Sequence, residues 1–333
     1  AMLLVIQTGT IAAVAVAFAN FLGVLVPAVS GNRYLVPPIP LGSRYALSLS
    51  TQQAVAIALI LFLTAANTRG LRAGKLIQNT FTFAKTAALL ALIALGLAAG
   101  PNAAGAAFST DWWDPRANGW DPQAVQPGLA AGGALALPLL LGRAMVGPLF
   151  AQSAWNNVTF TAGEVRDPER NLPRALLAGC AVVVLLYLLA NLAYLVTLPL
   201  PALQNAPQNR VGTAMMEAIL GPAGNALMAA AILVSTFGAN NGLILSGARV
   251  TYAMARDGLF FARTARLNAR HVPGAALLLQ GLWASALVLP RTATRDPATG
   301  AVSYGNVYTQ LLEYVISADL VFYALTVGAV LVL

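Results

Sequence analysis

Lys85 stands near the middle of the apolar run NTFTFAKTAALLALIAL, and a charge in that position demands a reason. A lysine at the centre of a bilayer costs about 2.5–3.5 kcal/mol on insertion scales, so it is expected to face the protein interior. It lies roughly ten residues from the charged end of its run, or about 15 Å at helical rise, which is deep for snorkelling. Asp319 lies well inside the apolar run 304–333 and is a candidate proton carrier. Arg143 and Glu313 fall in apolar runs as well, where ion pairing between helices, or for Glu313 a shallow position, is the expected account. In FGANNG, residues 237–242, Asn240 and Asn241 sit between Gly238 and Gly242. That small-xxx-small spacing admits a neighbouring helix, and the amides offer hydrogen bonds to it or to a substrate.

Residues 138–174 complete the set. Here an apolar stretch is interrupted by Gly, Pro, Gln, Ser and Asn and runs directly into a charged loop. Unpaired backbone groups in hydrocarbon cost several kcal/mol each, so a membrane helix breaks only for a compensating reason. In secondary transporters that reason is substrate binding at the bilayer midplane. Enzymatic chemistry finds little support beside this. The chain has one histidine and one cysteine, which excludes a His/Cys metal cluster, and it has no P-loop. His271, between Arg270 and Pro273, reads as a solvated loop residue.

The elements that must position these residues are membrane helices. Of the 333 residues, 58% are hydrophobic and 9% charged, and the mean hydropathy is +0.72. Windows of about 20 apolar residues mark spans at 2–30, 47–66, 76–99, 129–161, 174–198, 213–253, 274–290 and 304–333. The expected fold class is an all-α integral membrane protein, one polytopic domain over 1–333. The first and last spans have no polar flank, so the domain is expected to be cut at both ends. No signal peptide is expected either.

The net charge of +8 is distributed as topology. Arg69, Arg72 and Lys75, then Arg166, Arg170 and Arg174, then Arg256, Arg263, Arg266 and Arg270 occupy alternate loops. The loops between them hold Arg33 with Arg44, then Arg116, then Arg210, then Arg291 with Arg295. This alternation puts the first residue on the cytoplasmic side and removes the case for a nucleic-acid partner. Trp112, Trp113 and Trp120 in the loop 100–127 read as an interfacial belt. The cysteine, Cys180, lies inside an apolar span, so no disulfide-linked subunit is expected at the outer loops.

The run FAQSAWNNVTFTAGEVRDPERNLPRAL resembles the sixth helix and following loop of amino acid permeases in the amino acid–polyamine–organocation superfamily, especially the L-type branch. GLRAGKLIQNTFTFAKTAALLALI at 70–93, LLANLAYLVTLPL at 188–200 and FGANNGLILSGARVTYAMARDGLF at 237–260 extend the likeness over nearly the whole chain. The resemblance implies a leucine-transporter-type fold of two inverted five-helix repeats, with helices three to ten present here. It also implies that Phe150 gates the bound amino acid, and that carbonyls of Phe150, Ala151 and Ser153 accept from its ammonium. Trp155 and Asn156 match the residues opening the inner half-helix, and Glu164 and Arg170 match inner-loop charges that serve as gating groups or structural ties; Gln152, and Asn240 from its motif as either packing residue or substrate contact, complete the candidate binding set. Where the family commonly has glycines, this chain has Ser153 and Ala154. Lys85 matches a lysine whose ammonium takes the place of a sodium ion; Asp319, from its depth in its apolar run alone, is the second coupling candidate.

The resulting expectation is a sodium-independent amino acid transporter of the cell membrane. It works by alternating access as a proton-coupled symporter or exchanger, embedded in the lipid bilayer and needing no cofactor. The alternative is a membrane sensor that binds an amino acid without moving it.

Overall fold

The computed structural model describes residues 2–42, 44–99, 136–207, 210–295, 302–305 and 307–329. The elements are mostly helical. A short π-helical stretch, Met2–Gln7, leads into α1 (Thr8–Leu25), followed by strands β1 (Tyr34–Leu41) and β2 (Tyr45–Ser50). Then come α2 (Thr51–Thr68), α3 (Leu71–Ala99), α4 (Ala136–Ala144), α5 (Val146–Gln152), a 3₁₀ stretch at Ser153–Glu164, and α6 (Pro168–Thr197). The chain continues through α7 (Leu200–Gln204), α8 (Val211–Leu220), α9 (Pro222–Arg256), a 3₁₀ turn at Ala262–Ala265, α10 (Gly274–Leu287), β3 (Pro290–Arg295), β4 (Val302–Tyr304) and α11 (Val307–Ala329). Val5–Leu25, Thr51–Thr68, Leu76–Ala98, Pro168–Thr197 and Pro222–Arg256 are each long and apolar enough to cross a membrane.

Two spans differ from the hydropathy reading. The stretch 213–253 is divided, because Gly221 adopts φ 63° and Pro222 opens a new helix, so α8 ends where a left-handed residue and a missing donor coincide. The fifth helix starts at Pro168 and not at 174, extending into the charged loop with proline in its first turn and Glu169 at its positive end.

The chain divides into two units. In the first (Ala1–Ala88, Trp155–Ala178, Ala229–Leu333), α1, α2, α9 and α10 share a core of Ile11, Val16, Ile60, Leu63, Ile244 and Leu277, interleaved with buried alanines. Small residues let the backbones approach where lipid supplies no hydrophobic drive between helices. A side chain at Gly281 would place its Cβ 2.5 Å from Thr64 Oγ1. In the second unit (Leu89–Ala154, Gly179–Met228), Leu92 and Ile93 of α3, Ala190 and Ala193 of α6, and Met215 and Met216 of α8 form the core. Thr197 Oγ1 donates to the Gly96 carbonyl at 3.1 Å.

The first unit also carries a four-stranded antiparallel sheet, ordered β1-β2-β3-β4, which no period in the sequence announced. Ala46 pairs with Arg291 and Leu47 with Pro290, so segments about 240 residues apart form one surface. β1 contains Pro37, Pro38 and Pro40, which suits an edge strand. This pairing brings together the α1–α2 and α10–α11 connections. At the other end of α2, Asn268 Nδ2 and Arg270 Nη1 donate to the carbonyls of Thr68 and Arg69. Both groupings agree with the alternation of loop charge.

Candidate functional site

The broken segment keeps its helical turn but changes type twice. α4 stops at a turn on Met145, α5 covers Val146–Gln152 and includes Pro148, and from Ser153 the chain is a 3₁₀ helix as far as Glu164. A 3₁₀ run of 12 residues is long for this geometry, and such stretches mark hinges or strained sequence. Passing from i→i−4 to i→i−3 bonding skips one carbonyl at the junction. The Ala151 carbonyl, two residues before the switch, accepts a hydrogen bond from the Tyr187 hydroxyl of α6 at 3.2 Å. Tyr187 was not singled out by sequence, because a tyrosine in an apolar helix carries no local mark of its partner. The side chains of Phe150, Ser153 and Glu164 lie outside the described residues, as do those of Arg143 and Glu313.

Within the first unit, Trp155 lies in the first turn of the 3₁₀ stretch, and its ring lies 6.3 Å from that of Tyr323 on α11. The Tyr323 hydroxyl is hydrogen-bonded to Asp319 one turn earlier on the same helix. Two residues chosen separately from sequence are therefore linked through a third. Asn156 is half-buried, and its carbonyl accepts from Thr159 Oγ1 at 2.7 Å. Arg170 is exposed at the start of α6, its backbone N–H donating to the Asp167 carbonyl.

The paired asparagines of α9 separate in role. Asn241 Oδ1 accepts from Asn67 Nδ2 at 2.9 Å, and Asn241 Nδ2 donates to Gln78 Oε1 at 3.3 Å, joining α9 to α2 and α3. Asn240 is fully buried, yet among the described residues neither its Oδ1 nor its Nδ2 has a hydrogen-bond partner. A buried amide left unpaired costs about 1–3 kcal/mol, so Asn240 is the costly member of the pair.

Lys85 is half-buried on α3. Gln78, Phe81 and Lys85 recur at i, i+3 and i+7 and share one face of that helix. The first two meet α9 directly. Phe81 stacks on Phe237 with centroids 4.6 Å apart, and a Cβ at Gly238 would fall 2.5 Å from that of Phe81. The polar residue of α3 that reaches the asparagine pair is thus Gln78, which the sequence reading passed over. Among the described residues, no group of His, Cys, Asp and Glu could hold a metal ion.

A family model described as amino acid permease matches residues 1–333. The chain is 26% identical over 281 residues to the b(0,+)-type amino acid transporter 1 of Oryctolagus cuniculus, covering 84% of this chain and 50% of the relative. It is 30% identical over 275 residues to the large neutral amino acids transporter small subunit 2 of the same species, covering 82% and 45%. The serine/threonine exchanger SteT of Bacillus subtilis (strain 168) is 36% identical over 114 residues, or 34% of this chain and 26% of that one. The chain spans about half the length of the first of these relatives. With its apolar helices it is a multi-pass membrane protein, and it belongs to the amino acid permease family.

Proposed function

We propose that the protein is a secondary amino acid transporter working by alternating access, sodium-independent, and either a proton-coupled symporter or an exchanger. The observation that carries this reading is the change of helix type at Ser153 inside the run FAQSAWNN, with the Ala151 carbonyl already drawn to a side-chain donor. Carbonyls released at such a junction are suited to an ammonium group. The relatives named as amino acid transporters and as a serine/threonine exchanger support the substrate class.

In this reading Phe150 closes over the substrate. Carbonyls of Phe150, Ala151 and Ser153 hold its ammonium, and Gln152, Trp155 and Asn156 line the inner half. Asn240 supplies the unengaged amide. Lys85 takes the place of a coupling sodium ion, Asp319 carries the proton, and Glu164 with Arg170 serves the inner gate. Cys180, the cysteine of these 333 residues, lies within α6, which supports a reading without a disulfide-linked subunit at the outer loops present here.

Reconstituting the whole protein in liposomes and measuring uptake of a radiolabelled amino-acid panel, with and without an inward proton gradient, tests the reading. Uptake of at least one amino acid is expected. Tight binding with neither uptake nor counterflow would replace the transporter by a sensor.

A further inference from the structure

The loop that joins α9 to α10 holds apolar side chains in the open. α9 ends in a Schellman arrangement: Gly258 adopts φ 75°, the Leu259 N–H donates to the Met254 carbonyl at 2.8 Å, and the Gly258 N–H donates to the Ala255 carbonyl at 3.3 Å. In that motif a residue at the Leu259 position commonly packs back against its own helix. Here Leu259 is 73% exposed, and Phe261 is 70% exposed. Leu267 is exposed as well. The loop is fixed in this form by its own bonds. The N–H and Oγ1 of Thr264 both donate to the Phe261 carbonyl, at 2.9 and 2.7 Å, and Asn268 Oδ1 accepts from the N–H groups of Arg270 and Val272.

Depth and charge indicate what surrounds it. α2 has 18 residues, about 27 Å at helical rise, which just covers a hydrocarbon core of about 30 Å. Thr68 and Arg69 at its end therefore lie at the boundary of that core. Asn268 Nδ2 and Arg270 Nη1 donate to their carbonyls at 3.0 and 2.8 Å, which holds this part of the loop at headgroup level. Over residues 256–271 the exposed arginines are Arg256, Arg263, Arg266 and Arg270, and the acid beside them is Asp257. Topology accounts for arginines in this loop, but it gives no reason for a leucine and a phenylalanine held outward among them. The combination fits a surface that is anionic on top and apolar beneath, which describes a leaflet containing acidic lipid.

We propose that the loop 257–271 is a docking site for acidic phospholipid of the adjoining leaflet, with Leu259 and Phe261 set into the interface and Arg263 and Arg266 on headgroup phosphates. Arginine suits that partner because its planar fork donates to phosphate oxygens in pairs. Occupancy would brace α9 and α10 against the end of α2, since the loop joins the first two and is bonded to the third.

Thermal unfolding of the purified whole protein in neutral detergent, titrated with dioleoyl-phosphatidylglycerol or dioleoyl-phosphatidylcholine, tests the site. Phosphatidylglycerol should raise Tm saturably, by roughly 2–4 °C beyond phosphatidylcholine. Arg263→Gln/Arg266→Gln should lose most of that difference, whereas Arg33→Gln/Arg44→Gln, on the α1–α2 connection, should keep it. Soluble glycerol phosphate should leave Tm unchanged. In vesicles of phosphatidylcholine and phosphatidylglycerol, a nitroxide attached at Phe261→Cys, in a Cys180→Ala background, should be reached more readily by oxygen than by a water-soluble nickel complex. Equal shifts with the two lipids, or the same phosphatidylglycerol shift in Arg263→Gln/Arg266→Gln, would overturn the proposal. A shift with glycerol phosphate would make the occupant a free phosphate and overturn the lipid. Should the double variant fail to fold, the nitroxide decides alone: preferential access of oxygen supports docking, and preferential access of the nickel complex removes it.

Discussion

The hydroxyl of Tyr187 donates to the carbonyl of Ala151 at 3.2 Å, two residues before the chain changes from α to 3₁₀ geometry. A side chain from α6 thereby binds a backbone acceptor beside the change of helix type. Tyr187→Phe keeps the ring and removes only that donor, so it should cost about 1 kcal/mol of stability. Transport should fall by a larger factor, because the junction loses its fixed geometry. Uptake kinetics in proteoliposomes beside a melting curve separate the two, and wild-type uptake at unchanged Tm would dissociate Tyr187 from the break.

Asn240 and Asn241 should respond oppositely to leucine. Asn241→Leu strands the amides of Asn67 and Gln78 and should destabilise by about 1–3 kcal/mol. Asn240→Leu replaces an unpaired amide with an apolar group, so stability should hold or rise while substrate affinity drops. Melting temperature and ligand binding on the same preparations check both. A destabilised Asn240→Leu that binds normally would make Asn240 a packing residue.

Gly238 and Gly179 make a matched pair. Any side chain at Gly238 meets the Cβ of Phe81, whereas nothing lies within 4 Å of a Cβ at Gly179. Gly238→Ala should therefore cost about 1–3 kcal/mol through overpacking. Gly179→Ala, in the interior of α6, should gain roughly 0.5–1 kcal/mol of helix propensity. Melting temperatures that move together would show that α3 and α9 do not rely on contact at Gly238.

Lys85→Met retains the stem and removes the charge. If the ammonium holds the place of a coupling ion, binding should survive while uptake driven by a proton gradient collapses. Equilibrium binding and gradient-driven flux on one reconstituted preparation check this. Wild-type flux with unchanged pH dependence would end the coupling role and turn attention to Asp319.

Trp155, Tyr323 and Asp319 allow a similar comparison. Tyr323→Phe preserves the ring facing Trp155 and deletes the hydrogen bond to Asp319. Expression and KM should stay close to wild type, while the pH profile of transport shifts. A superimposable profile would show that Asp319 acts without Tyr323.

The sequence by itself determined the membrane setting, the predominantly helical class and the family likeness. All of these are local: hydrophobicity over about 20 residues, a proline or glycine, or a contiguous motif. Tertiary structure decided the rest, because partners distant in sequence leave no local trace. The sheet pairs Ala46 with Arg291, and its strands lie in loops whose composition only marks them as connections. FGANNG presents two asparagines as equals, and only the approach of Asn67 and Gln78 makes one a tie and leaves the other unpaired. Likewise Arg291 counted in sequence as one more loop charge; folding buried it and set its Nη groups against Gly31, Tyr34 and Ser50.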